Sequence, residues 1–262
     1  MRALLRLIIC EIWKLKRRKL FQAAFLTTFI MPLCYTIILS DTNLDNMMSV
    51  VREENGFLIL MPLSVVLAAN LFFEEHDYDT LKNLMCIPVS KNRLALAKFA
   101  VILLFDVGYM FAGYGIAFLL TALTGTSLNG WGLQFFLTIG TGVLLFAAAM
   151  PCIFLVVWCN KSYIISVIIA FAYTVFNYIL RINDSFMMVP LGFNVATFLP
   201  VPVIFRWIYQ FHSLEGAGEI ARNFYHRFSP YFVSTPAVFG ILLGEGLIFM
   251  VLMMKVYRKQ SV

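Results

Sequence analysis

Of 262 residues, 61% are hydrophobic and only 13% charged, against about 45–50% and about 25% in ordinary soluble domains. That balance excludes a soluble globular enzyme and marks an integral membrane protein. The net charge of +6 then reports topology and contact with anionic lipid, not nucleic-acid binding.

Residues 1–19 open the chain with an apolar run, Leu4 to Ile9, that is too short for a signal peptide and is followed by the basic cluster KLKRRK with no cleavage site. On a helix, Leu4, Leu5, Ile8, Ile9, Ile12 and Leu15 share one face, while Arg6, Cys10, Lys14 and Arg17 share the other. This is the pattern of an interfacial helix on the inner leaflet. A plain basic anchor would use the same residues.

Six spans follow, because a helix needs about 20 apolar residues to cross the hydrocarbon core. Leu20 to Ser40 and Asn55 to Phe73 carry no charge. Between Lys98 and Lys161 the only charge is Asp106, and the turn-rich stretch Thr124 to Gly132 divides this region into spans 3 and 4. Ser162 to Leu180 is the fifth, and Tyr231 to Met254, interrupted by Glu245, the sixth. Runs of this length suit helices, not barrel strands. The expected fold is therefore an all-α membrane protein with one domain over residues 1–262.

Basic residues orient the bundle. With the N-terminus inside, only Arg52, Arg181, Arg206, Arg222 and Arg227 of the 20 basic residues fall on outer segments, where acids dilute them. Both termini are expected in the cytoplasm. Parity also argues against a seventh crossing between Phe193 and Phe211, so residues 183–230 read as an outer-side excursion, re-entrant or interfacial, broken by Pro190, Pro200, Pro202 and Pro230. Its rings Trp207, Tyr209, Phe224, Tyr225 and Tyr231 read as a headgroup-level aromatic belt in preference to a binding cap.

The long inner-side interruption, residues 74–98, has its own signals. Asp77 and Asp79 precede Thr80-Leu81-Lys82-Asn83-Leu84-Met85-Cys86, placing acids and a capping hydroxyl at a helix start. Pro88 stops that helix, and Ser90 caps a second one, Lys91 to Lys98, that enters span 3. A force on the short helix would reach spans 2 and 3.

Two acids lie inside spans, Asp106 and Glu245. Ionisable groups there face a bundle interior or water, as a proton relay, a cation contact or structural glue. Gly240 and Gly244 form a GxxxG that permits close helix approach, suited to an interface with a second subunit. Catalytic, cofactor and metal motifs are missing from the sequence. No glycine precedes a lysine, so there is no P-loop, and neither HExxH nor GxSxG occurs. His76, beside Glu74, Glu75, Asp77 and Asp79, reads as a solvated acidic helix start and not a metal site. Cys10, Cys86 and Cys159 fall on the inner side and Cys34 and Cys152 within spans, so no outer loop offers a disulfide.

Glu74 or Glu75, Thr80, Leu81, Leu84, Pro88, Val89, Ser90 and Lys98 together resemble the type-2 exporter permeases of the ATP-binding-cassette superfamily, within it the small bacitracin and lantibiotic self-protection permeases. Asp79 stands where glycine is usual and Lys91 where arginine is usual. The resemblance implies a bacterial plasma-membrane permease, paired with a second copy or sister permease and docked by a separate ATPase. That partner would hold ATP-Mg, and docking would use Thr80, Leu81, Leu84, Met85, Cys86, Pro88 and Ser90. The cargo it implies is an amphipathic antimicrobial peptide or other hydrophobic molecule, moved out of the cell or membrane. Two rival classes are an intramembrane enzyme, which lacks converging catalytic residues, and an ion-coupled transporter or scaffold that uses Asp106 and Glu245 without an ATPase.

Overall fold

The computed structural model describes residues 2–17, 19–38, 43–77, 90–159, 163–214 and 218–259. Six helices in it are long and apolar enough to cross a membrane: span 1 (Phe21–Ile38), span 2 (Leu44–Phe73), span 3 (Lys91–Leu123), span 4 (Trp131–Cys159), span 5 (Tyr163–Ile182) and span 6 (Thr235–Arg258). Among the described residues there is no strand. The near end of the bundle is the one at which spans 2 and 6 finish and span 3 begins; the far end is the opposite one.

Spans 1, 3, 4, 5 and 6 follow the charge-free runs closely. Span 2 does not, since it begins at Leu44, eleven residues before the expected Asn55, and carries Asp45, Arg52, Glu53 and Glu54 inside a continuous helix. Asn43 caps its start, accepting from the Asn46 amide at 2.9 Å. Val51–Leu60 is wound as a π-helix, a form that recurs at functional sites. The charges are tolerated because partners on spans 4 and 5 receive them, as described below.

Spans 2, 3 and 4 form the centre. In their most apolar stretches 78%, 61% and 72% of residues are buried, against 17%, 28% and 22% in spans 1, 5 and 6, whose apolar faces point outward. Between helices in lipid there is no hydrophobic drive, so close packing and polar bonds must hold them. Two glycines supply the closeness. A Cβ on Gly142 of span 4 would lie 3.0 Å from the Val107 Cα of span 3, and one on Gly246 of span 6 would lie 3.1 Å from the Ala147 Cβ of span 4. Span 4 also holds Pro151 within its helix; proline has no amide to offer the carbonyl four residues earlier, which is that of Ala147. The neighbouring Ala148 carbonyl accepts from the Tyr173 hydroxyl of span 5 at 2.9 Å.

Span 1 is fastened to span 3 by a ladder of rings, Phe25 edge-on to Phe105 at 5.6 Å, and by Thr27 and Tyr109, whose hydroxyls lie 2.9 Å apart. The turn between spans 3 and 4 needs glycine at Gly125 and Gly130, with φ of +72° and +74°.

The N-terminal helix (Arg2–Lys16) packs along span 3 and divides its apolar residues. Leu15 is buried and Leu4 and Ile8 half-buried, whereas Leu5, Ile9, Ile12 and Trp13 are exposed. Glu11 is buried and paired with Lys14 at 2.5 Å.

Beyond span 5 the chain makes short helices at Asp184–Met187, Pro200–Ile208 and Glu219–Phe228. Pro200 and Pro202 do not break a helix here; they sit in the first turn of one, where their missing amides cost nothing. The Pro200–Ile208 helix is buried almost throughout and wedges among spans 4, 5 and 6.

Candidate functional site

Polar side chains in this bundle lie at its two ends and at separate places between. At the near end the residues expected to dock a partner, Thr80, Leu81, Leu84, Met85, Cys86 and Pro88, lie outside the described residues, as do the side chains of Glu74, Glu75, His76 and Asp77. Ser90 is described. It occupies the N-cap of span 3 in an extended conformation, and its carbonyl accepts from the Arg93 amide at 2.9 Å. Its side chain makes no capping bond, so it marks the helix start through its backbone. Eight residues of span 3 then lead to Lys98, which is fully buried. The Lys98 ammonium donates to the Leu71 carbonyl of span 2 and lies 4.9 Å from the Phe72 ring centre and 6.0 Å from that of Tyr257 on span 6.

Around Lys98 the surface of the near end is basic. Arg6, Lys14, Lys16, Arg17, Lys19, Arg93, Lys255 and Arg258 are exposed there.

Within the bundle, Asp106 is fully buried. Ser64 of span 2 donates to its Oδ2 at 2.9 Å, while Oδ1 has no hydrogen-bond partner among the described residues. Gly142 brings the span 4 backbone close, since its Cβ would stand 3.3 Å from the Asp106 carbonyl oxygen. Glu245 on span 6 is half-buried, and its Oε2 likewise has no partner among the described residues. Neither of the two expected intramembrane acids bonds the other, and each holds a buried oxygen without a partner among the described residues. Gly240 and Gly244 have nothing within 4 Å of a built Cβ; the glycine of span 6 that approaches another helix of this chain is Gly246. The GxxxG face is open in the single chain.

The far end holds a network that charge counting alone does not disclose. Arg52 of span 2 is buried and donates to the Gln134 side-chain oxygen of span 4. Gln134 in turn donates to Asp45 Oδ1 at 2.6 Å. Asp45 Oδ2 accepts from the Ser213 amide at 2.8 Å and lies 3.3 Å from His212 Nδ1. One chain of contacts thus joins span 2, span 4 and the segment before span 6. Beside it, Arg181 of span 5 reaches Glu53 at 2.5 Å and Glu54 at 3.6 Å, and its guanidinium lies 4.5 Å from the Tyr178 ring centre. The Tyr178 hydroxyl donates to Glu54 at 2.9 Å.

Arg206 lies on the outer-side segment and is buried, donating from Nε to the Tyr231 carbonyl at 2.7 Å. Desolvation pushes its guanidinium pKa below the ordinary value. Trp207 corrects the belt reading. It is 3% exposed, its indole N–H donates to Thr235 Oγ1 at 3.0 Å, and its ring fills the space left by Gly140 of span 4. A ring with a satisfied N–H and a glycine slot is core, not a headgroup anchor. Tyr209 sits inside a cluster with Phe224, Tyr225 and Phe228; burial first, then Glu53 and Tyr225, pushes its phenol pKa up.

A cavity of about 190 Å³ opens between spans 1, 2 and 5, lined by Thr27, Leu58, Pro62, Leu63, Val66 and Phe171 among others. Its wall is almost wholly apolar. Among the described residues no group of histidine, cysteine, aspartate and glutamate is arranged to hold a metal ion.

The cavity can accommodate apolar matter. Comparison with known proteins adds one finding: the sequence model of the family described as ABC-2 family transporter protein matches residues 7–177. The match runs from the N-terminal helix through most of span 5 and includes the whole 74–98 segment. No curated protein matches this chain.

Proposed function

Since the chain belongs to the ABC-2 family of transporter proteins, we propose that it is the permease subunit of an ATP-driven exporter whose ATPase is a separate chain. The observation that carries this reading is the family match across a bundle whose 74–98 segment joins spans 2 and 3. The sequence has no P-loop, so energy must arrive from outside the chain, and Thr80 to Cys86 is the piece assigned to receive it. Closure of the partner would displace that piece and re-pack the bundle between discrete arrangements. No residue of this chain need be catalytic.

Orientation follows from the exposed charges. Among the described residues, eight basic residues are exposed at the near end, against Arg222 and Arg227 at the far end, where Arg52 and Arg206 are withdrawn into the protein. The near end is therefore assigned to the cytoplasm, with both termini there and the ATPase below it. Gly240 and Gly244, open in the single chain, are assigned to the contact with a second permease. The apolar cavity and the outward apolar faces support a hydrophobic or amphipathic cargo taken from the bilayer; an antimicrobial peptide is the candidate that the bacitracin and lantibiotic resemblance suggests.

The rival reading, ion coupling through Asp106 and Glu245, has in its favour the one unpartnered oxygen on each. One experiment separates them. The Walker-motif ATPase that co-purifies with the chain is identified, and transport is measured in vesicles with that protein's nucleotide site intact or inactivated. Export that stops with the dead ATPase supports the exporter; export that persists overturns it. Within the same preparation Leu84→Pro is expected to abolish ATPase association or coupling while leaving membrane insertion intact.

A further inference from the structure

Among the described residues, the near end contains one charged side chain that is entirely buried, Lys98. Lys98 lies in the third turn of span 3, about 10 Å along its axis from the first residue at 1.5 Å per residue. An ammonium is costly to remove from water, and the cost is tolerated only where acceptors and rings replace the lost hydration. Here those replacements come from other spans. The acceptor is the Leu71 carbonyl of span 2, and the rings are Phe72 of span 2 and Tyr257 of span 6. The rings also meet each other edge-on, with centres 5.5 Å apart. If packing were all that this place required, a methionine or leucine would fill it without a charge to desolvate.

Leu71 and Phe72 lie just before the 74–90 segment and Lys98 just after it, while Tyr257 lies in the last turn of span 6. We propose that Lys98 is a positioning residue, a clamp that ties the near end of span 6 to the two spans framing the 74–90 segment, so that a displacement delivered there moves three spans together. The clamp stands on the contacts themselves; its part in energy coupling rests on the exporter reading above. Span 6 is remote in sequence from the spans that frame the 74–90 segment, and the Lys98 ammonium joins it to them by a non-covalent contact.

The test uses the full-length chain in lipid nanodiscs with its native cysteines replaced by serine. Spin labels go on Asn70→Cys of span 2, Asn92→Cys of span 3 and Lys255→Cys of span 6, taken in pairs. Without nucleotide, the parent is expected to give a single narrow distance between positions 70 and 255. Lys98→Met, which keeps the stem and removes the charge, is expected to broaden that distance or add a longer one, and Lys98→Arg to restore the narrow one. An unchanged distribution in Lys98→Met overturns the clamp. Should Lys98→Met fail to insert, Tyr257→Leu, which removes one ring, is read by the same criterion. With the ATPase and ATP added, the parent is expected to shift both the 92–255 and the 70–255 distances. Lys98→Met should lose the response of position 255 while ATP hydrolysis continues, and a full response in that variant overturns the coupling role. A parent that shows no ATP response counts against the exporter reading, and the nucleotide-free distances still decide the clamp.

Discussion

The two ends of the bundle are held by different physics. At the near end, three spans converge on one lysine whose partners include a carbonyl and two rings. At the far end, Arg52, Gln134, Asp45 and the Ser213 amide form a directional chain of hydrogen bonds, and Arg181 is bracketed by Glu53 and Glu54. Two of the near-end contacts are cation–π, which require the ammonium to stay over each ring face within about 6 Å of its centre. Buried hydrogen bonds tolerate little change in distance or angle. The difference makes the far end the stiffer of the two, while the near end, where the 74–98 segment enters, is held as a unit by fewer directional bonds.

The sharpest way to break this contrast is at Gln134, the one side chain that touches both Arg52 and Asp45. Gln134→Leu keeps the volume and removes both bonds, leaving two buried charges short of a partner at once. Leaving a buried donor or acceptor unsatisfied costs about 1–3 kcal/mol, more for a charged group, and a loss of that order is expected here. It is measured as a fall in the unfolding midpoint of the detergent-purified chain. Replacing Lys98 by Met should lower that midpoint less. If Lys98→Met is the more damaging of the two, the far end is not the rigid one.

Span 6 serves both ends, through Thr235 at the far one and Tyr257 at the near one. Its middle is seated where Gly246 meets Ala147 of span 4, with only 3.1 Å available for a Cβ. Gly246→Val forces the helices apart, and overpacking of this kind costs about 1–3 kcal/mol. Both ends should register it, as weaker protection of Trp207 from quenching and as a broader distance between positions 70 and 255. Gly244→Ala, on the open side, is expected to change neither.

Much of this architecture is legible in the sequence, and the failures share a cause. Charge-free runs locate spans 1, 3, 4, 5 and 6, because a membrane span must satisfy its backbone locally and its side chains by composition. Span 2 escapes because Asp45, Arg52, Glu53 and Glu54 end the run. What neutralises them is Gln134, 82 residues beyond Arg52, and Arg181, 128 residues beyond Glu53, and no local rule carries that information. Trp207 fails likewise, since its slot is made by Gly140 on another helix. Asp106 is recognisable as an intramembrane acid, but its partner Ser64 is an inconspicuous residue on span 2. Lys98 is visible as the lysine entering span 3; the carbonyl and rings that make it a clamp are not. Prolines are the instructive middle case. Pro200 and Pro202 correctly forbid a long span, yet they also begin the short helix that fills the far end.

The smallest effect sharpens the contrast by exclusion. Arg227 and Asp184 also pair at the far end, at 3.3 Å, but both side chains are more than half exposed. Water and salt screen such a pair, and its worth is about 0–1 kcal/mol. Arg227→Ala is therefore expected to leave the unfolding midpoint nearly unchanged, and whatever shift it causes should shrink further when salt is raised. Gln134→Leu should keep its full effect at high salt, because its partners are shielded from ions. A salt-sensitive loss in Gln134→Leu, or a large one in Arg227→Ala, would mean that the stiffness of the far end comes from its surface charges and not from the buried chain through Gln134.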